Sequence, residues 1–259
     1  MAKRHHAVIE QFDRDSESYL SKNVRPEMQR EQSRLFNLSG GKSYRRGLDL
    51  GCGPGTMSNE MLAICDEVWG VDPSERMIAI ATERRQEIST GHRVHFEVGS
   101  AETLRFEDET FDVVFCVGVL RYLDSWENGL REIHRVLKRN GTLVTTFYYR
   151  YSLQWWSMVL LGRPLLPLVM LLKGRPVREC LEKNKAEPLP FSYRDFKRIL
   201  PEIGFEGMEL QHSGFEFYPL RRLMPSLSRR IYLSLEKRFF DSPVLGWLGS
   251  ICIVKVVKR

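Results

Sequence analysis

The chain has 259 residues, of which 42% are hydrophobic and 28% charged, which suits one elaborated α/β domain and excludes the disordered, collagen-like and disulfide-scaffold classes. No stretch reaches the ~20 uninterrupted apolar residues of a membrane-spanning helix, since the longest run, Tyr151 to Leu172, is broken by Gly162, Arg163, Pro164 and Pro167. The net charge of +6 is uneven: residues 1–150 carry 21 basic and 23 acidic side chains and residues 151–259 carry 18 and 10, so the basic excess in the second part is either a solvated face or a mark of an anionic partner. The N-terminus has basic residues with no apolar core behind them, so no secretory signal is expected and the cytoplasm is the expected location. Five cysteines without a C-x-x-C pair and six histidines without metal-ligand spacing predict reduced thiols and no metal site.

From Arg45 to Phe147 short apolar runs alternate with helical periods. GLDL, ending at Leu50, is a buried-strand candidate, followed by a Gly-rich turn and a helix carrying Met57, Met61, Leu62 and Ile64. EVWGVD is the second strand, and Ser74 caps a helix whose Met77, Ile78 and Ala81 share one face. RVHFEV and FDVVFCVGV are the third and fourth strands. Asp124 or Ser125 opens a helix with Leu130, Ile133, His134 and Leu137 on one stripe, and Asn140-Gly141 ends it before TLVTTF, the fifth strand. His134 on that stripe reads as structural. Strands alternating with helices predict parallel pairing through right-handed crossovers, a doubly wound α/β sheet.

After Phe147 the rhythm changes. Residues 148–190 are an aromatic and aliphatic run followed by a polar linker, too long for one crossover, and read as an apolar cap insert. The alternation resumes with Ser192 as N-cap of YRDFKRIL, then GFEGMELQ and ICIVKVV as strands. A second insert at 214–247 places Leu227, Ile231, Leu235 and Phe239 on one helical stripe, with Arg229, Arg230 and Lys237 roughly opposite and Leu233 breaking the pattern. The expected division is therefore 1–44 as an N-terminal helical lid segment, 45–147 as the binding core, 148–190 as the cap, and 191–259 as the end of the core with its basic insert.

The chemistry concentrates in LDLGCGPGT, residues 48–56, at a strand-to-helix junction. Gly51, Gly53 and Gly55 allow a tight turn that a ligand can approach without Cβ clashes. Asp72 stands at the end of the second strand, 21 residues after Gly51, where a carboxylate can accept both hydroxyl protons of a ribose. A dinucleotide turn of the G-x-G-x-x-G/A kind would place Gly or Ala at 56, where Thr stands. The shorter G-x-G-x-G spacing suits a nucleoside ligand without a pyrophosphate.

These segments, with VDPSERMI, VGSAETLRF, FDVVFCVGVLRYLDSW and REIHRVLKRNGTLV in order from Leu48 to Val144, resemble the class I S-adenosylmethionine (SAM) dependent methyltransferases of small-molecule type. The resemblance implies a Rossmann-like seven-stranded sheet with the last strand antiparallel, SAM as cofactor across the carboxyl ends of the strands, and methyl transfer. It also implies contacts from Gly51, Gly53 and Gly55 to the amino-acid part, from Asp72 to the ribose, from Pro73, Met77, Ser100, Ala101 and Glu102 to the adenine, and from Val117 to the cofactor. Relatives usually carry an acidic residue where Ser100 stands, which implies a weaker adenine acceptor here. Tyr19, in an N-terminal segment resembling the family's opening helix, is by position the residue that closes over the methionine end, and Arg25 is either a surface arginine, the better reading, or a partner for the SAM carboxylate. Tyr122, beside the position where many relatives have His, is the candidate catalytic residue, as base or as wall of the acceptor site.

No D/N-P-P-Y/F tetrapeptide follows the fourth strand, which argues against base or amide nitrogen acceptors. The apolar cap, with Trp155 and Trp156 as candidate substrate residues, lacks the interleaved cations of a nucleic-acid channel, so no nucleic acid partner is expected. A hydrophobic small molecule or lipid-like acceptor methylated at O or C fits better. Quinone C-methyltransferases and fatty-chain or polyketide O-methyltransferases are the nearest in motif style, with an anionic carrier or a membrane surface as a further partner. Two rivals remain: a catalytically silent SAM-binding module, and an NAD-type oxidoreductase, against which Thr56 and the ordered later motifs count.

Overall fold

The computed structural model describes residues 9–10, 12–14, 16, 34–40, 43–86, 91–148, 152, 156, 160, 193–213, 224, 226–228, 230–232, 234, 249 and 251–259. Four parallel pairings follow from β1 (Tyr44–Leu50), β2 (Cys65–Asp72), β3 (Val94–Val98), β4 (Phe111–Cys116) and β5 (Leu137–Tyr148): β1 with β2, β1 with β4, β2 with β3, and β4 with β5. With β6 (Phe205–Ser213) and β7 (Ile251–Lys258) the sheet has seven strands in the order β3-β2-β1-β4-β5-β7-β6. β7 reverses direction. Arg259 N–H donates to Gly204 O at 3.0 Å, Lys255 pairs with Glu209 at 2.8 Å and Cys252 Sγ lies 3.4 Å from His212 Nδ1. Residue numbers that rise on one strand as they fall on the other mean antiparallel strands, as the family resemblance implies.

Between the strands lie α1 (Thr56–Met61), α2 (Glu75–Gln86), α3 (Trp126–Val136) and α4 (Tyr193–Ile203). Val113, Val114, Phe115 and Cys116 of β4 are all fully buried, the continuous apolar run of a strand covered on both faces. Helix starts follow the sequence closely. Ser74 Oγ accepts from Met77 N–H at 3.0 Å ahead of α2, and Ser125 Oγ accepts from Asn128 N–H at 3.2 Å ahead of α3, each satisfying a backbone donor that the first turn leaves without a partner.

Several boundaries differ from expectation. β4 stops at Cys116, so Val117, Gly118 and Val119 of FDVVFCVGV belong to the loop that follows it. α1 stops at Met61, and Leu62 and Ile64 belong to the turn into β2. α3 stops at Val136, so Leu137 does not extend the helical stripe: its backbone is extended, it pairs with Phe111 of β4, and its carbonyl accepts from the buried Lys258 Nζ at 2.7 Å. Asn140, at φ 62°, and Gly141 therefore sit in an irregular stretch between two registers of β5, Phe111↔Leu137 and Val113↔Thr142, and not at the helix end. Tertiary pairing overrides the local helix-stop signal here.

Backbone proximity divides the chain into two compact units: one of Met1–Thr146, Phe196–Glu209 and Val254–Arg259, the other of Phe147–Asp195 and Leu210–Ile253. Ser192, and most of the 148–190 and 214–247 segments, lie outside the described residues. Among the described residues no helix is long and apolar enough to cross a membrane, and Cys52, Cys65, Cys116 and Cys252 are free and buried.

Candidate functional site

In an open α/β sheet the ligand crevice lies at the carboxyl ends of the strands where strand order reverses. Here that point falls between β1 and β4, whose last residues pair as Leu50↔Cys116. The loops leaving them are both glycine turns. Gly51, Gly53 and Gly55 have φ of 70°, 50° and 75°, and Gly118 has φ 74°. Gly51 is required twice over: its left-handed backbone disfavours a side chain, and a Cβ there would lie 2.2 Å from Val119 Cγ2. A Cβ on Gly118 would meet nothing within 4 Å, so that backbone borders open space. Gly118 N–H donates to the buried Thr146 Oγ1 at 2.8 Å, which fixes the loop that Val117 begins.

Asp72 ends β2 with both carboxylate oxygens facing backbone donors. Gly53 N–H donates to Oδ2 and Ser74 N–H to Oδ1, each at 2.9 Å. The aspartate thus ties the glycine turn to the start of α2, and each oxygen retains a second lone pair for a further donor. Burial pushes its pKa up, the two backbone N–H bonds oppose that shift, and the nearby Asp13 carboxylate adds to it. Asp13 also accepts from Ser74 Oγ, so the N-terminal segment reaches the same corner.

A second acid lies beneath the turn. Asp49 of β1 is 3% exposed, and Ser58 Oγ donates to its Oδ2 at 2.6 Å. Burial outweighs that bond and, helped by the charge of Asp72, pushes the pKa up to about 7. Arg84 of α2 braces the turn, donating to Pro54 O at 2.8 Å and Thr56 Oγ1 at 3.1 Å. None of Asp49, Ser58, Asp13 or Arg84 was singled out from the sequence. Asp49 was findable as a charge between Leu48 and Leu50 at the apolar end of β1, whereas Asp13 and Arg84 depend on packing across the fold.

The remaining candidates distribute as follows. Met77 and Ala101 are buried and Pro73 is half-buried. Ser100 Oγ accepts from Glu102 N–H at 3.2 Å, and Glu102 Oε1 accepts from Ser125 N–H at 2.8 Å, so Glu102 holds the start of α3 as well as bordering this corner. Tyr122 follows β4 in a short 3-10 turn, Leu120–Tyr122, with the Phe12 ring edge-on at 5.4 Å and the Arg121 guanidinium 5.2 Å from its centroid. His134 packs edge-on against Phe205 at 5.1 Å, and burial lowers its pKa. Trp156 is helical and 42% exposed, in the second unit. Tyr19, Arg25, Trp155, Arg229 and Lys237 lie outside the described residues. Among the described residues no three metal-ligating side chains converge.

A glycine turn at the switch point with a carboxylate at the end of the neighbouring strand is the arrangement that holds a nucleoside in doubly wound proteins. Comparison narrows the class. Residues 48–145 match the methyltransferase domain family. The chain is 28% identical over 138 residues to the uncharacterized methyltransferase YcgJ of Bacillus subtilis, covering 53% of this chain and 54% of that one. It is 42% identical over 97 residues to a demethylmenaquinone methyltransferase of Leptospira interrogans, covering 36% and 39%. The chain thus spans about half or less of the curated relatives it matches. Among solved structures, YcgJ superposes with a TM-score of 0.59 at 17% identity, covering 89% of this chain and 99% of that one. The N-methyltransferase NodS of Bradyrhizobium japonicum in complex with S-adenosylhomocysteine superposes with 0.57 at 14% identity, covering 92% and 90%. Residues 48–145 are thus similar to the methyltransferase domain family, and the solved neighbours share the fold.

Proposed function

We propose that the protein transfers the methyl group of SAM to an oxygen or carbon of a hydrophobic, lipid-like small molecule. The observation that carries the cofactor half is the Asp72 junction, where one carboxylate ties the glycine turn to α2 and keeps two lone pairs for ribose hydroxyls. The backbone of Gly51, Gly53 and Gly55 is the cradle for the amino-acid part, with Val117 beside it, and Pro73, Met77, Ser100, Ala101 and Glu102 are the adenine border. Tyr19 is the proposed closure over the methionine end.

SAM, when bound, supplies an electrophilic methyl group. The chain's own work is to orient the acceptor, exclude water and receive a proton where one is lost; orientation alone contributes ~7–11 kcal/mol in favourable cases. Tyr122 is the proposed proton acceptor or hydrogen-bonding wall, and Trp155 and Trp156 the proposed acceptor contacts. The lipid-like acceptor is supported by the apolar 148–190 segment and by relatives named for quinone methylation, including the demethylmenaquinone enzyme. Incubating the protein with methyl-labelled SAM and cell extract, then identifying labelled products by mass spectrometry, tests the proposal. A labelled apolar product supports it, and labelled nucleic acid, or SAM binding without any labelled product, refutes it.

A further inference from the structure

Six large apolar side chains are exposed among the described residues, and five of them, Trp156, Leu160, Met224, Leu227 and Ile231, belong to the second compact unit. That unit also holds the protein's positive charge. Its two segments contain 14 Lys and Arg against 7 Asp and Glu, a net +7, while the first unit carries −1.

A helical stretch in this unit exposes aliphatic side chains along one face. Residues 226–228, 230–232 and 234 are helical, and Ser228 N–H donates to Met224 O at 2.9 Å. Leu227 and Ile231, four apart and so on one face, are exposed at 38% and 37%, with Arg230 exposed beside them, while Ser228 is buried at 7%. A helix of a globular protein normally turns its apolar stripe inward. An exposed aliphatic face flanked by a cation, in a strongly basic unit, is instead the composition of a helix that lies in the plane of a lipid interface. A bilayer with anionic headgroups complements both features at once, whereas an acidic protein surface complements the charge alone.

We propose that the second unit docks on an anionic lipid bilayer, with Leu227 and Ile231 entering the boundary between headgroups and acyl chains and Arg230 on the lipid phosphates. The proposal stands on this unit's surface and does not depend on the cofactor reading. It places the protein at the phase where an apolar acceptor is dissolved.

Co-sedimentation of the full chain with vesicles of phosphatidylcholine alone, and of phosphatidylcholine with phosphatidylglycerol, tests it. The protein is expected to bind the anionic vesicles, weakly or not at all the neutral ones, and less as salt is raised. Arg230→Glu reverses one charge and is expected to lower partitioning about thirtyfold, and Leu227→Ser with Ile231→Ser at least about tenfold. Leu227→Met with Ile231→Leu keeps the apolar contact and is expected to bind as the wild type does. SAM titration of the same samples separates docking from the cofactor site, and thermal melts separate it from misfolding. If the double serine variant melts early, Arg230→Glu and the salt series decide. The proposal is overturned if anionic vesicles do not bind, if binding is equal on neutral vesicles, or if Arg230→Glu binds unchanged. Salt-sensitive capture of an acidic carrier protein with no vesicle binding also overturns it.

Discussion

Asp49→Asn is expected to stabilise the protein at alkaline pH and to do so less and less as pH falls. Asp49 is 3% exposed, and burial raises its pKa to about 7, against about 3.9 in the unfolded chain. Between these values the native state holds a proton that the unfolded state has lost, so stability falls as pH rises through this window and the loss is complete above the folded pKa. Three pKa units at 1.36 kcal/mol each make that loss about 4 kcal/mol. Asparagine has the same shape, keeps an oxygen for the Ser58 hydroxyl and carries no titrating proton. Urea denaturation at roughly pH 5 and pH 8 reads the difference: at the lower pH, about one unit above the unfolded pKa, the variant should exceed the wild type by about 1–2 kcal/mol, and at the higher by about 4 kcal/mol. Saturating SAM, a cation proposed to lie near Asp72, should narrow the gap at pH 8 by favouring the ionised carboxylates. A gain that is equal at both pH values, or a variant less stable than wild type at pH 8, would refute this account of the buried acid.

Gly51→Ala should destabilise more than Gly118→Ala, because both have a left-handed backbone but only Gly51 faces an obstacle, Val119 at 2.2 Å. Gly118→Ala carries the ~1–2 kcal/mol backbone cost, Gly51→Ala adds ~1–3 kcal/mol of overpacking, and Val119→Ala should recover the added part; equal melting curves for the two glycine variants would contradict the geometry. Ser100→Asp should tighten SAM and Ser100→Ala weaken it by about 0.5–1.5 kcal/mol, and a dissociation constant moved by neither removes this side chain from adenine recognition. Tyr122→Phe keeps the packing against Phe12 and Arg121 and should lower kcat about 10²-fold with SAM affinity intact; an unchanged kcat would reduce the ring to packing.

The strand segments along the chain, the glycine turn and the place of Asp72 were legible because each rests on a local pattern: apolar runs of strand length, left-handed turns that need glycine, and a charge at a strand end; the order of the strands within the sheet was not. Helix starts were legible for the same reason, since Ser74 and Ser125 act within three residues of themselves. What escaped depends on distant partners. Arg84 reaches the turn from 28 and 30 residues away, and Asp13 reaches Ser74 across 61. The end of α3 was misplaced because Leu137 is claimed by Phe111 and Lys258, neither of them visible in the local periodicity. The outward-facing pair Leu227 and Ile231 was expected on an apolar stripe with Arg229, Arg230 and Lys237 opposite, but sequence period cannot say which side of a stripe meets solvent.

The central claim is that SAM binds at the Asp72 junction, and calorimetric titration of SAM into the wild type and Asp72→Asn, with NAD as the competing ligand, tests it most directly. Asparagine is preferred to alanine because Asp72 also accepts from Gly53 and Ser74, and a truncation would strand both donors. The account predicts saturable SAM binding to the wild type, none of NAD, and a loss of about 1.5–3 kcal/mol in the variant, the usual worth of hydrogen bonds to a charged group. Equal SAM affinity in the two proteins, or NAD bound in place of SAM, would contradict it.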